Sequence, residues 1–254
     1  MFNIRHLLSA GALALTLAGG AQADTVVFDN ISSALNSVPG ATLTSTSSTP
    51  NTWMGGAFTL AAGTTSISGF DLYPVNLSGT AFTDLRVTID VWGGVNTGTV
   101  NAASPAFSNL LGSFTKTFSG DFQTGFFYPI EGADASTPGF ALASALAVPG
   151  TIGISINVQG STDGSTFANA NSLSSIITYG VPAAVGSNVF NGYYRNAAGE
   201  VNGNFTSAVR SLGFTNQSIG LAIYSSAAPV PEPATMLMMA FGVAGLLAVR
   251  RRQA

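Results

Sequence analysis

The chain has 254 residues, of which 7% are charged and 46% hydrophobic, with 30 Gly, 11 Pro, no Cys and a net charge of −3. The charged fraction is far below the quarter expected of an ordinary soluble chain, and the lack of Cys excludes a disulfide and a thiolate metal site. The one histidine, His6, sits in a segment that reads as a leader, so the mature protein is expected to lack the groups of His-dependent triads and imidazole zinc sites.

The first 23 residues read as a secretory signal peptide. Arg5 supplies the positive start, and residues 7–17 form an apolar stretch broken only by Ser9, Gly11 and Thr16. Ala21-Gln22-Ala23 then provides the small-x-small cleavage pattern, which makes Asp24 the expected mature N-terminus.

Between Asp24 and Ala228 the dominant signal is period-2 alternation. Leu85, Val87, Ile89 and Val91 share one face of a predicted strand, with Arg86, Thr88, Asp90 and Trp92 on the other. Leu110, Phe114 and Phe118 form a similar face around Lys116, as do Ile152, Ile154, Ile156 and Val158. Shorter apolar runs lie at 26–28, 57–60, 67–72, 126–130, 176–179, 189–194 and 219–224. Turn formers separate nearly all of them, as at Gly93-Gly94, Ser119-Gly120-Asp121 and Thr162-Asp163-Gly164. About ten short strands with turns between them predict an all-β, antiparallel, jelly-roll-like β-sandwich. Residues 141–147 are the one segment with room for a turn of helix, bracketed by Pro138 and Pro149. Four basic and ten acidic residues give this body a charge of −6, which argues against nucleic acid and anionic membrane as partners.

The C-terminus has three parts in order. Pro231-Glu232-Pro233 precedes an apolar run at 234–249, and Arg250-Arg251-Arg252 follows it. Sixteen residues at about 1.5 Å each give about 24 Å of helix, short of a hydrocarbon core of about 30 Å but within reach of snorkelling and bilayer thinning. The arginines place the far end in the cytoplasm. This segment resembles a PEP-CTERM sorting signal. The resemblance implies a transient partner, the transpeptidase-like membrane enzyme exosortase, with Pro231, Glu232 and Pro233 as the recognition element and Arg250, Arg251 and Arg252 as the stop-transfer anchor. It also implies processing near the Pro-Glu-Pro element in a bacterium that makes exopolysaccharide. A permanent membrane anchor accounts for the same apolar run by insertion alone.

Three segments are thus expected: a signal peptide (1–23), a β-sandwich ectodomain (24–228) and a sorting and anchor segment (229–254). The leading expectation for function is a non-enzymatic protein of the cell surface or extracellular matrix, associated with exopolysaccharide in a biofilm. A carbohydrate-binding module is the first alternative. Tyr193, Tyr194 and Arg195, with Asn188, Asn191 and Asn196 nearby, and Trp92 separately, are its candidate residues, since aromatic faces stack on sugar rings while Arg and Asn bond hydroxyls. Trp53 is harder to place. The second alternative, a glycan hydrolase or lyase, requires carboxylates about 5–9.5 Å apart, for which Glu131 and Glu200 are the body's only glutamates. No catalytic residue and no metal ligand is assigned. Asp121 and the Asp163-Gly164-Ser165 turn offer oxygens suited to a structural calcium, although turn-forming Asp accounts for both.

Overall fold

The alternation at residues 85–91 is where the core begins: Leu85, Val87, Ile89 and Val91 are all fully buried. The computed structural model describes residues 23–31, 53–180, 182–196, 203–206, 213 and 215–226. Residues 24–226 form one compact unit. The described residues are all-β, with no helix among them.

Fifteen strands follow in chain order: β1 (Asp24–Asp29), β2 (Met54–Thr59), β3 (Ser66–Leu72), β4 (Pro74–Asn76), β5 (Phe82–Val95), β6 (Phe107–Phe122), β7 (Phe126–Phe127) and β8 (Phe140–Ala147). Then come β9 (Thr151–Ser161), β10 (Leu173–Ser175), β11 (Ile177–Thr178), β12 (Ser187–Asn188), β13 (Tyr194–Arg195), β14 (Ser218–Ile219) and β15 (Leu221–Ser226). A six-stranded sheet runs β12-β2-β9-β5-β6, with β13 also on β2, and a four-stranded sheet runs β1-β15-β3-β8. All their pairings are antiparallel. Smaller sheets join β10-β4-β7 and β11-β14.

The two large sheets share one core. Ile152, Ile154, Ile156 and Val158 of β9 and the β5 residues supply one side, and Phe28, Ile67, Phe70, Leu72, Leu221 and Ile223 supply the other. Burial of apolar area at about 25 cal/mol per Å² is what holds such a pair of sheets together. This is a sandwich of antiparallel sheets with inward-facing residues alternating along each strand.

Three sequence expectations differ from the structure. Residues 141–147 lie in β8 rather than in a helical turn, because pairing with Ser66, Ile67 and Gly69 of β3 satisfies backbone groups that so short a helix would leave open. Gly93 and Gly94 lie within β5 and are not a turn. A Cβ on them would meet the side-chain ends of Asn109 and Ser108 on the paired strand β6. Leu110 does not share the inward face of Phe114 and Phe118. A bulge shifts the register between Val91, opposite Gly112, and Trp92, opposite Leu110, and an odd residue in a ladder exchanges the faces beyond it. Leu110 is therefore 49% exposed and Leu111 packs on the core in its place.

Candidate functional site

The aromatic cluster expected to meet sugar is largely turned inward. Tyr193 and Tyr194 are 2% and 1% exposed, so neither offers a ring face to a ligand, and these two candidates are corrected to packing residues. Tyr193 belongs to the inter-sheet core. Tyr194 joins a second apolar cluster on the outer face of the six-stranded sheet, stacked on Phe205 at 5.5 Å and edge-on to Phe107 and Phe190 at 5.4 and 5.1 Å. The sheet beneath accommodates these rings because it carries small residues there. A Cβ on Gly55 would fall 2.3 Å from Phe205, and one on Gly153 would fall 2.6 Å from Phe107.

The polar members of the expected cluster hold loops. Asn196 accepts a hydrogen bond from the Trp53 backbone N–H at 2.9 Å, and Asn191 accepts one from that of Gln217 at 2.6 Å. Arg195 is half-buried on β13, paired in register with Met54. Trp92 lies on the outer face, as the burial of Val91 requires, but it is half-buried, 6.4 Å from the Phe107 ring, and its Nε1 donates to Ser155 Oγ at 2.8 Å. Beside it the outer face is polar and internally bonded: Thr88 to Thr115 at 2.9 Å, Asn157 to Asn169 at 3.0 Å, and the Arg86 guanidinium 3.9 Å above the Phe167 ring.

The open aromatics are elsewhere. Phe126 and Phe127 of β7 are 62% and 46% exposed. They follow the Gly125 turn, whose φ of 93° suits glycine. Tyr128 next to them packs edge-on against Phe122 at 5.0 Å and donates to the Gln123 carbonyl. The sequence signal was the unbroken aromatic triplet at 126–128, read as an ordinary apolar strand. What it did not carry was that β7 is two residues long and at the edge of a small sheet, where opposite faces both reach solvent.

The acidic groups divide into buried and loop-bound. Asp71 on β3 is 7% exposed and accepts hydrogen bonds from Tyr224 Oη at 2.6 Å and from the Gly139 N–H at 2.8 Å. Burial, more than the nearby Glu131 charge, holds its carboxyl above the usual range despite those bonds. Glu131 accepts the hydroxyl of Tyr73, and burial followed by that bond pushes the Tyr73 phenol up. Together these bonds fasten the 131–139 loop over the four-stranded sheet. Sequence reading singled out Glu131 but not Asp71, Tyr73 or Tyr224, because long-range register brings them together. Glu200 lies outside the described residues. Asp90, 8% exposed, is likewise pushed up by burial, opposed by a bond from Ser113.

The Asp71 staple predicts a pH response. Its folded-state pKa lies above its ordinary value of 3.8, so the native state holds the proton more tightly than the unfolded chain does. Its contribution to stability therefore grows as pH falls from above the raised value towards 3.8 and is lost again as pH rises. Asp71→Asn, which keeps the shape, should flatten that part of the slope and hold or gain stability at neutral pH. Asp71→Ala should cost about 1–3 kcal/mol by leaving the Gly139 N–H and the Tyr224 hydroxyl without their acceptor. Denaturant melts from pH 4 to 8 read both, and an unchanged slope in Asp71→Asn refutes the assignment.

The calcium candidates serve their own loops. Asp163 Oδ1 accepts from the backbone of Thr166 and Ser165 and from Ser161 Oγ at 2.7, 2.8 and 2.9 Å, and these bonds hold its carboxyl well below the usual range. This is the Asx geometry of a turn. Asp121 accepts from Gln123 Nε2. Among the described residues no group of three or more acidic, His or Cys side chains is placed to hold a metal. A shallow groove of about 680 Å³ lies between Thr59–Thr64, Gly93, Val95 and the Pro149-Gly150-Thr151 turn. Its walls are Thr, Gly, Ala and other uncharged residues.

At the N-terminal side, Ala21 lies outside the described residues, Ala23 is exposed, and Asp24 opens β1 with its N–H donating to the Ser136 carbonyl at 3.0 Å. At the other side, Pro231, Glu232, Pro233, Arg250, Arg251 and Arg252 also lie outside the described residues. There the comparison with known families decides: residues 229–252 match the family model of the PEP-CTERM protein-sorting motif. The chain carries a PEP-CTERM sorting signal. It is accordingly an exported protein, sorted and processed by exosortase and directed to the cell surface. No curated protein and no solved structure matches the chain.

Proposed function

We propose that this PEP-CTERM protein is a non-enzymatic component of the cell surface or matrix that displays its jelly-roll-like sandwich within an exopolysaccharide or biofilm layer. The observation that carries this reading is the sorting motif at 229–252 behind a body of low charge whose surface is rich in Ser, Thr, Asn and Gly. Hydroxyls and amides hydrate such a surface without charged side chains. In this reading the chain enters through a signal peptide cleaved between Ala23 and Asp24, and its C-terminal apolar segment anchors it transiently until exosortase acts.

The engagement of the described carboxylates supports a non-catalytic body, since Glu131, Asp71 and Asp163 each accept hydrogen bonds that fasten their own loops or sheet. Fractionating producing cells tests the proposal. The processed protein should co-sediment with the cells' own exopolysaccharide and leave the polymer's length unchanged. Recovery free of polymer defeats the matrix assignment, and depolymerisation by the purified protein defeats the non-enzymatic one.

The exposure of Phe126 and Phe127 favours a second reading, a carbohydrate-binding module that stacks on neutral glycan through these rings rather than through Tyr193 and Tyr194. The Phe126→Ala, Phe127→Ala double variant should keep its melting temperature and lose retention on an exopolysaccharide column. Unaltered retention removes these residues from any binding role.

A further inference from the structure

The two large sheets are not finished in the same way at their edges. On the outer side of β1, loop backbone closes the ladder: Asp24 N–H donates to Ser136, Asp29 N–H to Val185, and Ala61 N–H to the Val27 carbonyl. Short strands β12 and β13 cover β2. Among the described residues the opposite side has no such cover. β6 pairs with β5 alone, and from Ser108 to Asp121 none of its residues makes a backbone hydrogen bond outside that pairing, among the described residues.

An antiparallel strand turns the N–H and C=O of alternate residues to the same side, so an uncovered edge is a template for another strand. Proteins usually blunt it with short length, bulges, proline or charge. β6 runs from Phe107 to Phe122 without proline. Between its two bulges, residues 112–119 keep an unbroken register with β5. The one lysine there, Lys116, is turned towards the sandwich, with its ammonium 5.0 Å from the Phe140 ring. Ser113, Thr115, Thr117 and Ser119 are all exposed on the outer face. On the inner face Leu111, Phe114 and Phe118, with Leu142 and Leu146 of the neighbouring edge strand β8, reach the core but are only partly buried. Among the described residues the sandwich is open along this side.

We propose that β6 pairs antiparallel with β6 of a second copy of this chain about a two-fold axis, joining two six-stranded sheets into one. The occupant follows from self-complementarity. A two-fold axis normal to the sheet places hydroxyl residues against hydroxyl residues on the outer face and the apolar stripe against its own copy on the inner face, as an isologous interface requires. Charge permits it: the body carries −6, but β6 holds one cation and one anion, Lys116 and Asp121, and β8 holds none. Two copies therefore meet along strands that carry no net charge.

The absence of cysteine makes the test clean. Ser113, Thr115, Thr117 and Ser119 are replaced by Cys one at a time in the full chain, with exposed Thr25 on β1 as the control, and the chains are oxidised. Residues facing each other across a two-fold axis bring their own copies within disulfide reach. The expected result is a disulfide dimer whose yield peaks at one β6 position, falls at the others and is lowest at Thr25→Cys. In a second measurement, Thr115→Lys with Thr117→Lys should convert the sedimenting dimer to monomer without changing the melting temperature. Equal yields at all five positions, a monomeric wild-type chain, or a different protein cross-linked to β6 overturns the proposal.

Discussion

Replacing Pro231-Glu232-Pro233 by three alanines should leave the protein exported but unsorted: uncleaved at its C-terminus, held in the inner membrane and depleted from the cell surface. The family match covers 229–252, so the substitution falls within the sorting motif and leaves the apolar run and the arginines intact. That separation gives the experiment its force. An apolar segment of 16 residues (234–249) followed by Arg250-Arg251-Arg252 inserts by hydrophobicity and positive charge alone. A permanent anchor should therefore be indifferent to the three alanines, whereas a substrate of a sorting enzyme should not. Mass spectrometry of membrane and surface fractions reads the outcome through the mature termini. Wild-type processing in the triple-alanine variant removes the recognition role from these three residues. Truncating the arginines instead should impair retention in the membrane before processing, a distinct defect.

The second large effect lies in the body. Gly153→Val should destabilise the domain by about 3 kcal/mol, the upper part of the range for overpacking a core, and lower Tm on the order of 10 °C for a domain of this size. By strand propensity alone the substitution should help, since Val suits a strand and Gly does not. Geometry decides otherwise. Gly153 faces Trp92 on one neighbour and Ala57 on the other, and a Cβ there meets the Phe107 ring at 2.6 Å. That ring is 1% exposed and wedged against Tyr194 and Phe205 at 5.4 and 5.6 Å, so it has nowhere to move. Phe107→Ala alone should cost about 3–5 kcal/mol, and the double variant should cost clearly less than the sum of the singles, because each removes the other's clash or void. Gly150→Ala, with nothing within 4 Å of its new Cβ, should stay within about 0.5 kcal/mol of the parent. Additive losses in the Gly153 and Phe107 pair contradict the packing account.

The second apolar cluster also explains why Tyr194 is a packing residue. Tyr193-Tyr194-Arg195-Asn196 looked like an exposed recognition strip, yet the same residues suit a strand laid over the outer face of a sheet. Which applies depends on what lies beneath. Here Gly55, Ala57 and Gly153 make a depression on β2 and β9 into which Phe107, Tyr194 and Phe205 settle. Those residues come from distant parts of the chain, so no local pattern announces the contact.

Sequence by itself determined what depends on local periodicity and on end composition. The two-residue period predicted antiparallel strands and the inward face of β5 and β9, because side chains on a pleated strand alternate whatever the partner. The three-part sequence at 229–252 was legible because a sorting signal is read as a linear segment. Tertiary structure alone decided which faces are covered twice and where registers slip. It put Leu110 in solvent through one bulge, buried Tyr193 and Tyr194, brought Asp71 to Tyr224 across 153 residues of chain, and, among the described residues, gave β6 a partner only on its β5 side. These outcomes depend on pairings between remote strands, whose energies lie in contacts that a single strand's sequence does not contain.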